Sequence, residues 1–390
     1  MAAIDLDRSA ALRSPELTLF TDTVRRFFTD HAPAEALQRW RDEGIVERAL
    51  WDKAAAAGLA GISISEEYGG GGGDFRHEAL LMDAQLDLGV DGFGLMLHNA
   101  VVAPYIEQYA SEERKRRWLP RMVSCELIGA IAMSEPGAGS DLQAIRTTAR
   151  RDGGQYVING QKTFITNGQR ANLVIVVCKT EGSAGAKGIS LIVVETDDCP
   201  GFERGRRLKK IGLHSQDTSE LFFNNVRVPV ANLLGGVDGV EGKGFSQLMS
   251  QLPKERLMVG VTGVATIRRA LRETLAYVKE RQVFGGKVID FQNTQFKLAE
   301  CKTEATIAQV FVDHCIERLL EGKLDAATAS MAKYWVSDLE CKIVDTCLQF
   351  FGGYGYMDEY PIARMFADTR VERIYAGSNE IMKVLIARTL

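Results

Sequence analysis

The sequence predicts an α+β fold that is mostly helical and is built from three consecutive segments. Two helical segments, residues 1–125 and 239–390, flank a middle segment, residues 126–238, in which β-branched runs replace the helical period. A chain of 390 residues is also too long for one ordinary hydrophobic core. We therefore expect an N-terminal helical domain, a middle antiparallel β domain and a C-terminal helical bundle domain.

In the first segment, apolar residues recur at the three-to-four spacing of an amphipathic helix. Clear examples are Leu19, Phe20, Val24, Phe27 and Phe28. A run of five glycines at 69–73 interrupts this pattern. Because no Lys-Ser/Thr pair follows the run, we interpret it as a flexible connection and not as a phosphate-binding loop.

The middle segment carries several short runs rich in β-branched residues. They lie at 171–178, 188–194 and 221–228, and Tyr156-Val-Ile-Asn-Gly160 reads as a strand running into a turn. Asn-Gly and Gly-rich turns separate these runs, where a nucleotide-binding βαβ unit would have long helices. The pattern therefore favours antiparallel strands.

In the last segment the helical period returns. Val261–Arg281 and Gln292–Leu320 contain no proline and few glycines, as expected for helices of a bundle. Near the end, Tyr375-Ala-Gly-Ser-Asn379 is a polar turn, and the apolar pattern resumes at Ile381. The glycine of this turn gives the backbone freedom, and its Ser-Asn pair is well suited to begin a helix.

Composition excludes several classes of function. A formal net charge of −4 and the lack of a basic stripe argue against nucleic-acid binding. The apolar runs, such as 171–178, are far shorter than the ~18 residues that a membrane span requires. The first 20 residues show no apolar signal region, so we expect a cytoplasmic location. The seven cysteines form no CxxC pair and the five histidines no HExxH motif, so we expect no metal site.

One string at the helix-to-β boundary carries a family resemblance. Within Ile131–Leu142 (IAMSEPGAGSDL), the Gly-Ala-Gly at 137–139 is only a partial dinucleotide fingerprint. As a whole, however, the string resembles the flavin-binding signature of the acyl-CoA dehydrogenase family. Two more strings of that family are present, GQKTFITNG at 160–168 and QFFGGYGY at 349–356.

The resemblance covers nearly the whole chain and is strongest to the long-chain branch of the family. The segments that resemble this branch are 216–223, 251–257 and 329–335. The family fold has the same helical–β–helical order, with a four-helix bundle as its C-terminal domain.

The resemblance implies FAD-dependent α,β-dehydrogenation of a long-chain or branched acyl-CoA to the trans-2-enoyl-CoA, as in fatty acid β-oxidation. A carboxylate removes the α-proton while the flavin N5 accepts hydride from the β-carbon. The family passes its electrons to an electron-transfer flavoprotein and forms homotetramers, each a dimer of dimers. Two alternatives stay open: an acyl-CoA oxidase that uses O₂, and a catalytically silent CoA-ester-binding protein of the same fold.

The catalytic base is predicted at Glu255. Most members of the family carry the base as Glu in the loop where this chain has Ala376, whereas the long-chain and isovaleryl branches use the Glu of a Glu-Arg-Leu segment. Pro253 and Lys254 are expected to open the helix, which would place Glu255 in its first turn. An acid there is favoured by the helix dipole alone, by ~0.3–1 kcal/mol, so its position by itself does not show catalysis. By resemblance, the backbone N–H of Ala376 donates to the thioester carbonyl.

The same resemblance implies a set of ligand contacts. The residues expected to line the flavin and its pyrophosphate are Ile131, Met133, Ser134, Gly139, Ser140, Phe164, Ile165 and Thr166. Those expected to reach the FAD of a neighbouring subunit are Arg281, Phe284, Gln292, Gln349, Gly352 and Gly353. Those expected over the adenosine part are Ser378, Asn379 and Glu380. The predicted acyl-CoA contacts are Ser140, Arg256, Tyr375 and Gly377. Phe164 stands where many members have Trp, and long-chain members also carry Phe.

Overall fold

The structure is a computed structural model that describes residues 6–180, 185–235 and 239–390. The predicted order of helices, sheet and helices is confirmed. The largest cluster of buried apolar side chains draws on all three regions, with Val102, Ile175 and Leu257 among its members. A second cluster lies within the N-terminal helices, and a third covers the other face of the sheet. The three regions therefore share one continuous interior.

The first α-helix of the N-terminal region follows a short 3₁₀ turn, Ala10–Leu12, and is capped by the Ser14 side chain, with Pro15 at its first position. Its helices are α1 (Pro15–His31), α2 (Ala34–Glu43), α3 (Arg48–Ala56), α4 (Phe75–Asp87), α5 (Leu95–Leu97), α6 (Ala103–Tyr109) and α7 (Glu112–Val123). A π-helical stretch, His98–Val102, joins α5 to α6. Helix α4 is buried along most of its length, and it packs on α1 and on the first helix of the C-terminal region.

The five glycines at 69–73 form a packed loop, so the prediction of a flexible connection is wrong. Each of the five backbone N–H groups donates to a carbonyl of residues 61–66. A Cβ at Gly70 would lie 2.2 Å from the carbonyl oxygen of Ile64. The glycines are therefore needed for the close approach of two backbone segments, which simple turn statistics do not reveal.

The middle region is one curled sheet. Its strands are β1 (Gly129–Ala132), β2 (Thr148–Asp152), β3 (Gln155–Thr166), β4 (Leu173–Thr180), β5 (Ile189–Glu195), β6 (Phe202–Arg207) and β7 (Thr218–Pro229). Their order is β1-β4-β2-β3-β7-β6, with β5 on β4. Pairs β2–β3, β3–β7, β4–β5 and β6–β7 are antiparallel, as predicted. Strand β4 pairs in parallel with β1 and β2, which the prediction did not include.

Strand β3 does not end in the predicted turn at Gly160. It continues to Thr166 through a register shift between Ile158 and Gly160. Gly160 has φ +151°, and a Cβ there would lie 2.4 Å from Thr147 Oγ1. The Asn-Gly pair thus marks a bulge inside a long strand, and this continuation carries β3 as far as the predicted flavin contacts.

The C-terminal region contains three long helices and two short ones, which together make up the predicted bundle. They are α8 (Gly244–Glu280), α9 (Gln292–Leu320), α10 (Ala326–Phe350), α11 (Pro361–Thr369) and α12 (Asn379–Ala387). A short hairpin of β8 (Gln282–Val283) and β9 (Gly286–Lys287) joins α8 to α9. Helix α10 packs on each of the other four helices of this region.

The predicted start of α8 at Pro253 is wrong. The helix begins nine residues earlier, at Gly244, and Pro253 lies inside it. Pro253 removes one hydrogen bond of the helix, but the preceding turns bury Leu248 and Gln251 against the rest of the chain and so extend it. Glu255 therefore lies well inside the helix, and stabilisation by the dipole of a first turn does not explain its presence.

None of the helices in the described part of the chain is long and apolar enough to cross a membrane. Within the same residues, no cluster of His, Cys, Asp and Glu has an arrangement that could hold a metal ion.

Candidate active site

Glu255 is a buried carboxyl group on α8. The residue is 8% exposed, and the hydroxyl of Tyr105 on α6 donates to its Oε1 at 2.9 Å. Burial raises the pKa of Glu255, while the bond from Tyr105 and the charges of Lys254 and Arg256 act in the opposite direction. Its Oε2 accepts no hydrogen bond from the described residues. The group is thus a carboxylate of increased basicity with one oxygen free to take a proton.

A second buried acid lies close to the same helix. Glu78 on α4 is 2% exposed and accepts a hydrogen bond from Ser63 Oγ at 2.7 Å. Burial raises the pKa of Glu78 to about 7, and the nearby Lys254 opposes this rise. Burial likewise lowers the pKa of Lys254, against the charges of Glu78, Glu255 and Glu107. Tyr105, Glu78 and Lys254 were not predicted as site residues, because they lie on separate elements and belong to no motif.

The backbone of the loop that carries Ala376 has an unusual conformation and leaves the Ala376 N–H available. Ala376 has φ +53° and Gly377 φ +90°, both in the left-handed region. The preceding N–H groups of Ile374 and Tyr375 both donate to the Val371 carbonyl. No acceptor among the described residues takes the N–H of Ala376. An alanine held in this conformation costs ~1–2 kcal/mol, so the surrounding contacts must hold it there.

Lys333 of α10 supplies one of those contacts. It is fully buried, and its Nζ donates at 2.8 Å both to the Gly377 carbonyl and to Asn379 Oδ1. Burial lowers the pKa of Lys333 to about 8, and the charge of Arg256 adds to this effect. The charges of Glu372 and Asp338 oppose this lowering of the pKa.

The predicted acyl-CoA contacts differ in exposure. Arg256 is 6% exposed and forms no hydrogen bond or ion pair with any residue the structure describes, and its Nε is buried without a partner. A buried guanidinium without a partner is costly, which favours a role in binding an anionic or carbonyl group. Tyr375 is 40% exposed, yet burial of its hydroxyl beside Glu372 and Glu340 raises its pKa. Ser140 is exposed on the loop after β1.

The predicted flavin segments lie side by side. The Thr163 N–H donates to the Ser134 carbonyl at 3.0 Å, which joins the loop after β1 to the end of β3. Under this junction the buried Lys162 binds the Met133 carbonyl at 2.9 Å and Glu135 at 2.8 Å. The structure therefore brings 131–140 and 164–166 together on a fixed support.

The surface of this junction is open. Phe164 is 69% exposed although its φ of +61° is unfavourable for a bulky residue. A Cβ at Gly137 or Gly139 would meet no atom within 4 Å. The hydroxyls of Ser134, Ser140 and Thr166 bind no partner among the described residues. Ile131 and Ile165 are buried, so we expect only their backbone to contact a ligand.

The residues predicted to reach a neighbouring subunit form a separate surface at one end of the bundle. Phe284, at the tip of the β8–β9 hairpin, is 99% exposed with φ +49°. Arg281 lies over the ring of Tyr354, 5.6 Å from its centroid, which joins the hairpin to the turn containing Gly352 and Gly353. Gln292 and Gln349 are exposed as well. Across the described ranges, no hydrogen bond or ion pair links this surface to the junction at 131–140 and 164–166.

The loop predicted to lie over adenosine begins α12. Ser378 is the N-cap of that helix, and Glu380 is exposed. Asn379 is 2% exposed, and its amide nitrogen donates to the Tyr334 carbonyl, Ser337 Oγ and Asp338 Oδ1. Its side chain therefore anchors the loop to α10, and a contact to the cofactor stays a prediction.

Comparison with known proteins places the chain in a family. Three family models match in order: "Acyl-CoA dehydrogenase, N-terminal domain" over residues 14–126, "Acyl-CoA dehydrogenase, middle domain" over 130–226, and "Acyl-CoA dehydrogenase, C-terminal domain" over 242–390. The chain is 47% identical over 380 residues to the mitochondrial long-chain specific acyl-CoA dehydrogenase of Sus scrofa, covering 97% of this chain and 87% of that protein. It is 37% identical over 361 residues to an acyl-CoA dehydrogenase of Bacillus subtilis, covering 92% and 93%.

Solved structures of acyl-CoA dehydrogenases superpose closely on this chain. An acyl-CoA dehydrogenase from Geobacillus kaustophilus superposes with a TM-score of 0.94 at 45% identity, covering 98% of this chain and 99% of that one. A glutaryl-CoA dehydrogenase from Mycobacterium smegmatis in complex with FADH2 superposes with a TM-score of 0.88 at 27% identity, covering 98% and 96%.

Proposed function

Because the chain belongs to the acyl-CoA dehydrogenase family, whose members are flavin-dependent oxidoreductases acting on acyl-CoA, we propose that it dehydrogenates long-chain or branched acyl-CoA thioesters with Glu255 as the base. The proposal is carried by two observations, a buried acid at 255 on α8 and an Ala376 N–H that no acceptor among the described residues takes. The family's more common base position is thus vacant in this chain, and the alternative position is filled.

FAD fits the residues present. The junction at 131–140 and 164–166 offers free hydroxyls, open backbone at two glycines and an exposed aromatic ring. We propose that these residues hold the flavin and its pyrophosphate, and that Arg281 and Phe284 of a neighbouring subunit complete the site in a homotetramer. When bound, FAD supplies the acceptor for the hydride. An electron-transfer flavoprotein would then be the acceptor of the electrons.

The chain's own contribution is proton transfer and charge stabilisation. Glu255 Oε2 takes the α-proton of the thioester, while Tyr105 holds Oε1 and so fixes the orientation of the carboxylate. The negative charge that develops on the thioester carbonyl oxygen is stabilised by the N–H of Ala376, which no acceptor in the described part of the chain uses. A fixed donor of this kind contributes ~3–4 kcal/mol to transition-state stabilisation. Arg256 is positioned beside Glu255 to bind the CoA thioester.

Anaerobic bleaching of the flavin band by a series of acyl-CoA esters tests this function. Wild type is expected to bleach, with an optimum that gives the chain-length preference. Glu255→Gln is expected to bind the esters but to bleach more slowly by a factor on the order of 10²–10⁴.

Glu78→Gln is the matched control, because Glu78 is an equally buried acid near the same helix. If Glu78→Gln loses bleaching and Glu255→Gln retains it, the base has been assigned to the wrong residue. Rapid hydrogen peroxide formation by wild type in air would show an oxidase instead. A yellow wild-type protein that binds the esters without bleaching would show a catalytically silent one.

A further inference from the structure

Two further acids are buried between the helices that support the Ala376 loop. Glu340 on α10 is 0% exposed, and Glu372, in the short helical turn Arg370–Arg373, is 7% exposed. Burial raises the pKa of Glu340, and the neighbouring charge of Glu372 raises it further. A Cβ at Gly263 of α8 would lie 3.5 Å from Glu340 Oε2 and 3.6 Å from Glu372 Oε2. The pair therefore occupies space left by a glycine of the helix that carries Glu255.

If both acids are ionised, several of their buried oxygens lack a hydrogen-bond donor. Both oxygens of Glu340 and Oε2 of Glu372 are buried without a donor among the described residues. The Thr262 hydroxyl lies 3.3 Å from Glu372 Oε1, the Tyr375 hydroxyl also faces Glu372, and the Thr266 hydroxyl faces Glu340. These hydroxyls leave the buried oxygens of Glu340 and Oε2 of Glu372 without a hydrogen bond from the described residues. Two carboxylates cannot donate to each other, whereas one proton between them would supply the missing donor.

The charges around the pair also indicate that only one of the two acids is ionised. The titratable groups facing it are Lys333 and Cys341 of α10 and Tyr375 of the loop, while α8 faces it with Thr262, Gly263 and Thr266. Lys333 is the one cation among these described neighbours, and it already binds Gly377 and Asn379. Asp338 is paired with Arg373 at 2.6 Å. One ammonium group can balance one of the two carboxylates, and the second is expected to be neutral.

We propose that Glu340 and Glu372 share one proton, and that this protonated pair is a positioning device for the Ala376 loop. Glu372 lies four residues before Ala376, within a turn whose Val371 carbonyl binds both following N–H groups. The pair thus fixes the loop to α8 and α10 before Ala376, and Lys333 fixes it after Ala376. The functional half of the inference rests on the proposed role of the Ala376 N–H.

The sharing of the proton predicts how stability depends on pH. Burial raises the pKa of both acids above the ordinary value of ~4.3. Above that ordinary value the unfolded chain has released the proton that the folded chain still holds. Stability therefore falls as pH rises from the ordinary value towards the folded-state pKa of the pair. Glutamine at 340 cannot titrate, and its NH₂ group supplies the donor at every pH.

Thermal unfolding of the FAD-loaded tetramer tests the shared proton without using activity. Between about pH 5 and 9, the melting temperature of wild type is expected to fall more steeply than that of Glu340→Gln. At the alkaline end the variant is expected to be the more stable of the two. Parallel curves, or a variant that is less stable throughout, would overturn the shared proton, whether or not the proposed reaction is correct.

The positioning role is tested by separating substrate binding from the rate of bleaching. Glu372→Ala is expected to retain FAD and acyl-CoA affinity but to bleach slower by about tenfold or more, because small misplacements of a reacting group are costly. Glu372→Gln is expected to restore the rate to within a few-fold of wild type. Thr274→Val is the control, since Thr274 is a buried threonine of α8 whose hydroxyl has no hydrogen-bond partner among the described residues and makes no hydrogen bond to either acid of the pair.

Two results would overturn the positioning role. One is a Glu372→Gln variant as slow as Glu372→Ala; the other is an alanine variant that folds, holds FAD and bleaches at the wild-type rate. A wild type that no acyl-CoA bleaches would instead refute the proposed function, and the melting curves would still decide whether the proton is shared.

Discussion

The two groups proposed to act on the thioester are held in opposite ways. Glu255 is a side chain in the interior of a 37-residue helix, and other side chains surround its carboxyl group. Ala376 contributes backbone, in a loop whose conformation is unfavourable for any residue except glycine. The chemistry of the first can be adjusted through its pKa by charges and hydrogen bonds. The second can be adjusted only through geometry.

This contrast predicts that substitutions in the two regions have different effects on the reaction. Around Glu255, changing a neighbour should move the pH at which the base works, while the fold remains. Around Ala376, changing a supporting residue should move the donor itself, and so change the rate at every pH. The following experiments separate these two behaviours.

The largest effect is expected from moving the base between the two regions. Glu255→Gln should reduce bleaching by a factor on the order of 10²–10⁴. Adding Ala376→Glu to this variant should recover part of the rate, because most of the family carries its base at that loop position. Bleaching rates of the two single variants and the double variant provide the comparison. A double variant no faster than Glu255→Gln would show that the two positions do not reach the same α-carbon in this chain.

The next effect is expected at Lys333, which holds the loop. Lys333→Met leaves the Gly377 carbonyl without its donor and Asn379 Oδ1 with only the 3.3 Å bond from Ser337 Oγ, so the free energy of unfolding should fall by ~1–3 kcal/mol. The bleaching rate should fall by about tenfold or more at all pH values, with no change in its pH midpoint. Denaturant unfolding and stopped-flow bleaching measure the two quantities.

Lys383→Met is the control for Lys333→Met. Lys383 is exposed, and its ammonium lies 5.3 Å from the ring centroid of Tyr334, so its loss should cost under ~1 kcal/mol. The control should bleach at the wild-type rate. A shifted pH midpoint in Lys333→Met, with an unchanged plateau, would mean that Lys333 acts through charge on the base and not through the position of the loop.

The sequence predicted the fold and the family, but it did not predict which residues surround Glu255 and Ala376. The three-segment fold followed from periodicity, since α9 begins and ends where the pattern placed it. Glu255 and Ala376 became a pair of candidates only through family strings, because neither residue forms a motif with its own neighbours. The start of α8 was misplaced because proline is a strong local signal, whereas the burial of Leu248 and Gln251 that extends the helix is a tertiary effect.

Residues that act through space could not be predicted from the sequence. Tyr105 binds Glu255 from 150 positions away, and Lys333 binds Gly377 from 44 positions away. Glu340 and Glu372 resemble solvated helix acids in the sequence, and only packing shows that they are buried together. Contacts of this kind depend on register between helices, which neither hydrophobic spacing nor local propensity specifies.

A smaller effect, confined to pH dependence, is expected at Tyr105. Its hydrogen bond favours the charged form of Glu255 and so opposes the rise in pKa that burial causes. Tyr105→Phe should raise the pKa of Glu255 further. Since the base must be deprotonated, the acid limb of the bleaching profile should move to higher pH by about one unit or more, while the alkaline plateau stays close to wild type.

Tyr109→Phe is the control for Tyr105→Phe. The Tyr109 ring lies 6.1 Å from that of Tyr105, and its hydroxyl binds no partner in the described part of the chain. Its profile should overlay wild type. A lowered plateau in Tyr105→Phe with an unmoved acid limb would show that Tyr105 orients the carboxylate without tuning it.

The smallest effect is expected at Ala376 itself, where the contrast between side chain and backbone is most direct. Ala376→Gly relieves a left-handed conformation that costs ~1–2 kcal/mol. The added freedom of glycine in the unfolded chain offsets ~0.5–1 kcal/mol of this gain. The free energy of unfolding should therefore rise by about 1 kcal/mol or less. Asp198→Gly is the matched control for strain relief away from the site, because Asp198 lies in an exposed turn with φ +51°.

Because the N–H remains in Ala376→Gly, bleaching should stay within a few-fold of wild type. If Ala376→Gly folds, holds FAD and still bleaches more than about tenfold slower, the fixed position of the N–H depends on the alanine methyl group, and backbone contacts alone do not hold the donor in place.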